Sequence, residues 1–253
     1  LVLKPSKMES MRLVPTAFGL VALAWCSGLA PLPRLDAAAP PLSVATTASL
    51  AAVARAELTA GRIPGAVLLV GLDGDVAYRE AFGLRSTRGP SLAMTSDTVF
   101  DLASLTKVVA TTTAVMQLVE QGRIDLDAPA ARYWRDFGLH GKSAITVRHL
   151  LTHYSGLRAD LPLGRPWSGY DTAMRMLTAE RPDHAPGVAY VYSDENFAVL
   201  GELVRRVSGQ PLDVYCERHV FAPLGMRQTG FRPSAEMMER FAPTFAVPSA
   251  GRV

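Results

Sequence analysis

The sequence predicts an α/β fold of the α+β kind, an antiparallel hairpin followed by a long helical stretch. Three observations predict it. Asp73-Gly74 lies between two strand-like runs, AVLLVGL and DVAYREAF, and Asp-Gly in that setting is a strong hairpin signal. Ser104 opens an apolar run that continues VVATTTAVMQLVEQG, long enough for a buried helix. From Ile124 to Met226 the chain reads as short helices and Pro/Gly loops without strand alternation, a helical lobe over about residues 124–226.

Residues 1–39 read as targeting rather than fold. Lys4, Lys7 and Arg12 precede the apolar stretch LVPTAFGLVALAWCSGLA, and Ala37-Ala38-Ala39 offers the small residues of a cleavage site. The segment is expected to be a signal peptide or an N-terminal anchor, so the protein is expected to be exported, periplasmic or secreted. Membrane association through this segment stays open. Trp25, just before Cys26, is too large for a lipoprotein signal. With Cys26 removed, Cys216 stands alone, and the fold must hold by its core rather than by an intramolecular disulfide.

Residues 40–253 are expected to form one domain. A chain of 253 residues that is 49% hydrophobic and 19% charged buries a large core and is not disordered. Its formal charge is +3, and without residues 1–39 it carries 22 basic against 21 acidic side chains, or +1. The arginines are scattered, with no basic run interleaved with aromatics, so nucleic acid is not an expected partner. Within this domain, residues 46–61 are alanine-rich and helical up to Gly61, and Gly122 ends the Ser104 helix. The run ENFAVLGELVRRVSG keeps Phe197, Leu200, Leu203, Val204 and Val207 at a 3.6-residue period, with Ser193 or Asp194 as N-cap and Gly209 as stop.

The chemistry is carried first by Ser104-Leu105-Thr106-Lys107. Serine and lysine at i and i+3 share one helix face, and a nucleophilic hydroxyl needs a neighbour that takes its proton. With 16 serines and 4 lysines, about one chain in four of this kind would show the pattern by chance. The lysine itself is more telling: the other three are Lys4, Lys7 and Lys142, against 22 arginines. A desolvated lysine can lose its proton where arginine cannot, so Lys107 is expected to be an uncharged base. Lowering its pKa from about 10.4 to about 7.4 costs roughly 4 kcal/mol, which a domain carries only where it serves a purpose.

The second motif is Tyr192-Ser193-Asp194, between the turn residues Pro186-Gly187 and that helical run. A phenol held beside Ser104 and Lys107 shuttles a proton to a leaving group, and an Asp oxygen holds the lysine or a substrate amide. Three other motifs fail. Gly141-Lys142-Ser143 lacks the phosphate-loop glycine, since Asp136 stands there; His149 and His153 flank Leu150 where a metalloprotease needs glutamate; and G-x-S-x-G is absent. No metal or cofactor is expected, and the two histidines read as core or helix-end residues on one probable helix.

Five blocks in order resemble the serine beta-lactamase and penicillin-recognising hydrolases, especially the class C-like branch with its family VIII esterases and D-alanyl-D-alanine carboxypeptidases. They are IPGAVLLVGLDGDVAYREAFG, FDLASLTKVVATTTAVMQLVEQGRIDLDAP, ITVRHLLTHYSGL, YSDENFAVLGELVRRVSGQPL and FAPLGMRQTGF, within about residues 48–247. The resemblance implies a beta-lactamase/transpeptidase-like fold, an antiparallel sheet flanked by helices with an all-helical lobe inserted. It implies Ser104 as acylated nucleophile, Lys107 as its base partner, Tyr192 as the tyrosine of a Y-x-N element, and Asp194, which replaces the commoner asparagine, as a substrate-binding residue. His153-Tyr154-Ser155-Gly156 matches a structural turn of the family, so Ser155 is not expected to be a nucleophile.

The family closes its site with a K-T-G or H-x-G strand, and nothing after Gly230 matches one. The resemblance therefore implies an incomplete member with the late sheet strands missing, the hairpin left with an unpaired edge, and activity of this polypeptide in question. The implied function is acyl transfer on an amide or ester carbonyl of a small-molecule or peptide substrate: a beta-lactam, a D-Ala-D-Ala peptide or a short-chain ester. A non-catalytic binder of peptidoglycan-like peptides or penicillin is the alternative.

Overall fold

Asp73 and Gly74 both adopt positive φ, 52° and 91°, the pair of left-handed conformations that a two-residue hairpin turn demands. They join strand β1, Gly65–Leu72, to strand β2, Asp75–Ser86, in an antiparallel ladder from Leu72↔Asp75 to Gly65↔Gly83, with an irregularity between Val70 and Gly71. The computed structural model describes residues 42–87, 91–161 and 167–244, all within one compact unit, Pro40–Val253. The expected leader or anchor, residues 1–39, lies outside the described residues. Among them, no helix is long and apolar enough to cross a membrane.

Helix α1, Val44–Thr59, begins at Ser43, whose side chain accepts the Thr46 N–H at 3.1 Å. It covers the hairpin through a small cluster of Ala51, Ala54 and Phe82, with Leu58 and Leu68 against it. Strand β3, Leu92–Ala93, pairs antiparallel with β2 at Leu84 and Ser86, giving the order β1-β2-β3. The unpaired hairpin edge expected from sequence is thus partly corrected: β2 has a partner along its end. A second, two-stranded sheet is parallel: β4, Val99–Phe100, beside β5, Phe241–Ala242. Among the described residues after Gly230, β5 is the one strand, and it carries neither K-T-G nor H-x-G.

The Ser104 segment enters as a π-helical stretch, Lys107–Thr112, that runs into helix α2, Thr113–Glu120. Ala114, Val115 and Leu118 of α2 are fully buried. They pack with α3, Val147–Leu151, α4, Tyr170–Ala179, α5, Asp194–Ser208, and α6, Leu212–Cys216, around Trp134, Phe137, Ile145, Leu177 and Leu203. A short helix α7, Ala235–Glu239, precedes β5. Between Ile124 and Met226 the described residues hold no strand, only an isolated bridge from Pro129 to Thr146. Cys216 is buried and, among the described residues, in no disulfide, and burial, with Asp213 nearby, pushes its thiol up to about 11.

Candidate active site

Ser104 sits on the turn that leads into the π-helical stretch, where Lys107 N–H donates to the Ser104 carbonyl at 3.0 Å. The preceding residue, Ala103, has φ 44°, a left-handed conformation that costs a residue with a Cβ about 1–2 kcal/mol. Asp101 holds it there by accepting the Ala103 N–H at 2.8 Å. The Ser104 hydroxyl is therefore presented from a strained, pinned turn, the kind of backbone that clusters at functional sites.

Tyr192 arrives from the other side. Ser193 caps α5 by accepting the Asn196 N–H at 3.3 Å and is itself tied down, donating its hydroxyl to the Arg158 carbonyl at 2.6 Å. Asp194 N–H donates to the Ala159 carbonyl at 2.7 Å. Asn196, fully buried, donates to the Leu150 carbonyl at 3.1 Å and accepts from Ser155 Oγ at 2.6 Å, which gives Ser155 a structural place. The neighbouring Gly156 has φ 81°, and a Cβ there would lie 2.0 Å from the His184 carbonyl oxygen, so only glycine closes this turn.

All four residues singled out from the sequence meet. Lys107 Nζ donates to Ser104 Oγ at 3.2 Å, forms an ion pair with Asp194, and stands 4.9 Å from the centre of the Tyr192 ring and 5.8 Å from that of Phe197. Its side chain is 13% exposed. Burial pulls the Lys107 pKa down, but Asp194 and the Tyr192 phenol outweigh it and hold the amine above the ordinary lysine range. The uncharged lysine expected from sequence is corrected here: the ion pair with Asp194 favours the ammonium, which has donors and no acceptor. The phenol shifts the opposite way. Lys107, and then the Ser104 hydroxyl, draw the Tyr192 pKa below its usual value, against a smaller opposing push from burial and Asp194.

A cavity of about 460 Å³ lies elsewhere: Phe100, Leu102, Val109, Phe221, Phe231 and Phe241 line it, and none of Ser104, Lys107 or Tyr192 does. The Ser104 cluster is instead an open, half-exposed surface, with Tyr192 44% exposed. Among the described residues no group of three or more His, Cys, Asp or Glu side chains is placed to hold a metal ion.

Residues 50–252 match the Beta-lactamase family, a range that takes in every one of these side chains. The chain belongs to the beta-lactamase family. It is 37% identical over 228 residues to "Esterase EstB" of Burkholderia gladioli, covering 82% of this chain and 57% of that protein. It is 32% identical over 189 residues to a "Putative D-alanyl-D-alanine carboxypeptidase" of Escherichia coli O157:H7, covering 67% of this chain and 44% of that one. Among solved structures it is similar to "EstCE1, a hydrolase with promiscuous acyltransferase activity", with TM-score 0.68 and 29% identity over 78% of this chain and 55% of that one. The chain spans about half the length of the curated relatives it matches.

Two residues of this beta-lactamase-family chain escaped the sequence reading. Lys142 is fully buried and donates to the Thr178 carbonyl at 2.9 Å and to that of Glu180, satisfying acceptors left over at the end of α4. His149 and His153 do not share a helix: α3 ends at Leu151, and His153 has φ 62°. His149 Nδ1 accepts the Thr146 N–H in a capping box, whereas the His153 ring lies against Tyr192 with centroids 4.6 Å apart. The signal for His153 was its place two residues before a turn-forming Ser155-Gly156, but no local periodicity reveals which way such a ring turns.

Proposed function

We propose that the chain is a serine hydrolase working through a covalent acyl-enzyme on an ester or amide carbonyl. The observation that supports this reading best is the charged Lys107, which bridges Ser104 and Asp194 beside a phenol of lowered pKa. An ammonium takes no proton, so the Tyr192 oxygen is the acceptor, and Lys107 stabilises its ionised form. Ser104 Oγ attacks the carbonyl carbon as its proton passes to Tyr192. The tetrahedral intermediate then collapses, and the departing alcohol or amine takes that proton from Tyr192. Water later attacks the Ser104 ester and frees the acid. Asp194 fixes Lys107 and faces the substrate.

The esterase relatives favour a short-chain ester as substrate, with D-amino peptides and beta-lactams as the further arms of the test. The experiment is turnover of p-nitrophenyl acetate together with labelling by a fluorescent penicillin. Ser104→Ala is expected to abolish both, and Tyr192→Phe to slow acylation by about 10²- to 10⁴-fold. Activity should fall as pH drops through the lowered Tyr192 pKa and persist on the alkaline side until Lys107 begins to lose its proton. Undiminished turnover by Ser104→Ala overturns the assignment, and reversible binding with no adduct would favour a non-catalytic binder. Export rests on residues 1–39, and fractionation of cells producing the full chain tests it.

A further inference from the structure

We infer that His153 is a positioning residue for Tyr192, a neutral imidazole that clamps the phenol in front of Ser104. The inference rests on the proposed function for its catalytic consequence, and on geometry alone for the clamp. His153 holds the chain on both sides of Tyr192: its carbonyl accepts the Val191 N–H at 3.0 Å, and its Nδ1 accepts the Ser193 N–H at 3.0 Å. Between these two bonds the ring packs on the Tyr192 ring, tilted by 31°. The other faces of the imidazole are closed by Phe197, 5.3 Å away, and by Tyr190 at 5.9 Å in an edge contact. With both flanking amides and one ring face fixed, Tyr192 has little freedom to swing from Ser104.

The clamp needs one protonation state. An Nδ1 that accepts a backbone N–H belongs to a neutral imidazole with its proton on Nε2. The charged groups that act on the ring are Lys107, whose ammonium opposes a second cation, and Asp194, which favours one; Tyr190, Tyr192 and Phe197 are the rings in contact. Burial, and then Lys107, keep the His153 pKa below the usual histidine value. The backbone adds a further sign. A φ of 62° is strained for histidine, and such strain persists only where the surroundings determine it. His153 makes no hydrogen bond to Ser104 or Lys107 among the described residues, so it acts through Tyr192 and not on substrate.

Two variants suit the left-handed backbone and separate the roles. His153→Asn keeps a side-chain acceptor at a conformation asparagine tolerates; His153→Gly relieves the strain but leaves the Ser193 N–H unpartnered and the Tyr192 ring uncovered. The full chain and both variants are compared in ester turnover, in thermal unfolding, and in ultraviolet titration of phenol ionisation, with the Tyr192→Phe chain as the blank that isolates the Tyr192 signal. The expected result is kcat down about ten-fold for His153→Asn and about a hundred-fold for His153→Gly, with KM little changed. The Tyr192 titration should move up toward an ordinary phenol in the same order. Variants that lower the melting temperature yet leave both the Tyr192 titration and kcat unmoved would overturn the inference. The phenol titration needs no turnover: if Ser104→Ala retains activity, the proposed function fails while an upward Tyr192 shift in His153→Gly still upholds the clamp.

Discussion

The two hydrophobic clusters differ in scale. Among the described residues, 21 buried side chains pack together around α2 and α5, including Trp134, Phe137 and Leu203, whereas the cluster between α1 and the hairpin has three, Ala51, Ala54 and Phe82. The hairpin's other side chains are mostly half-exposed, and Leu69 and Val76 are open to solvent. Buried area sets local stability, so the helical region should open only with global unfolding while the hairpin opens at lower cost. The candidate site follows the same division: Lys107, Tyr192 and Asp194 stand on the deeply packed side. The candidate site is thus built on the part of the molecule that should yield least.

The sharpest way to break this comparison is a matched pair of truncations. Phe137→Ala is expected to cost about 3–5 kcal/mol in chemical denaturation and Phe82→Ala distinctly less, since its surroundings can collapse or hydrate. Equal losses would mean that the two clusters are one cooperative core. Next in size is Glu195, buried beside Asp194 with neither carboxylate oxygen hydrogen-bonded among the described residues. Burial, and then Glu180, push its pKa up from 4.5 to about 7, while Arg158 and Lys142 oppose the rise and Asp160 adds to it. A carboxyl whose folded pKa is raised stabilises most below pH 4.5, and that stability drains away as pH climbs toward 7. Glu195→Gln should flatten this slope and raise neutral-pH stability by up to about 3 kcal/mol, read from denaturation midpoints across that range.

Lys142→Met sharpens the comparison from within the helical region. It strips the Thr178 and Glu180 carbonyls of a donor, at about 1–3 kcal/mol, and the loss should show as faster hydrogen exchange at the end of α4. The smallest effect belongs to the hairpin: Leu69→Thr, on an exposed β1 position, should shift the melting midpoint by no more than about 0.5 kcal/mol in equivalent stability.

Features specified by neighbours in sequence were legible without coordinates. The Asp73-Gly74 turn, the Ser193 cap, the apolar face of α5 and the i, i+3 pairing of Ser104 with Lys107 each depend on a few consecutive residues. Strands β3, β4 and β5 are two residues long, too short for alternation to register, and their partners lie far along the chain. The charge on Lys107 was misread for a related reason. Desolvation and an Asp oxygen near the amine are both readable from sequence, but which wins depends on the distances to Tyr192 and Asp194, 85 and 87 positions later, and sequence spacing carries no such distance. His153 and Lys142 escaped because one turns at a left-handed residue and the other is buried through carbonyls of a different helix.

The π-helical stretch at Lys107–Thr112 sets the angular phase between chemistry and packing. One surplus residue in that coil lets Leu105 and Val108 face outward while Ala114, Val115 and Leu118 still point inward. Excising a single residue there would restore ordinary winding and swing everything upstream by about 100°. Ser104 would then rotate out of reach of its phenol, although no side chain of the triangle had been changed. Alignment gaps in this six-residue window are therefore the place where relatives that kept the motif but lost the geometry would betray themselves.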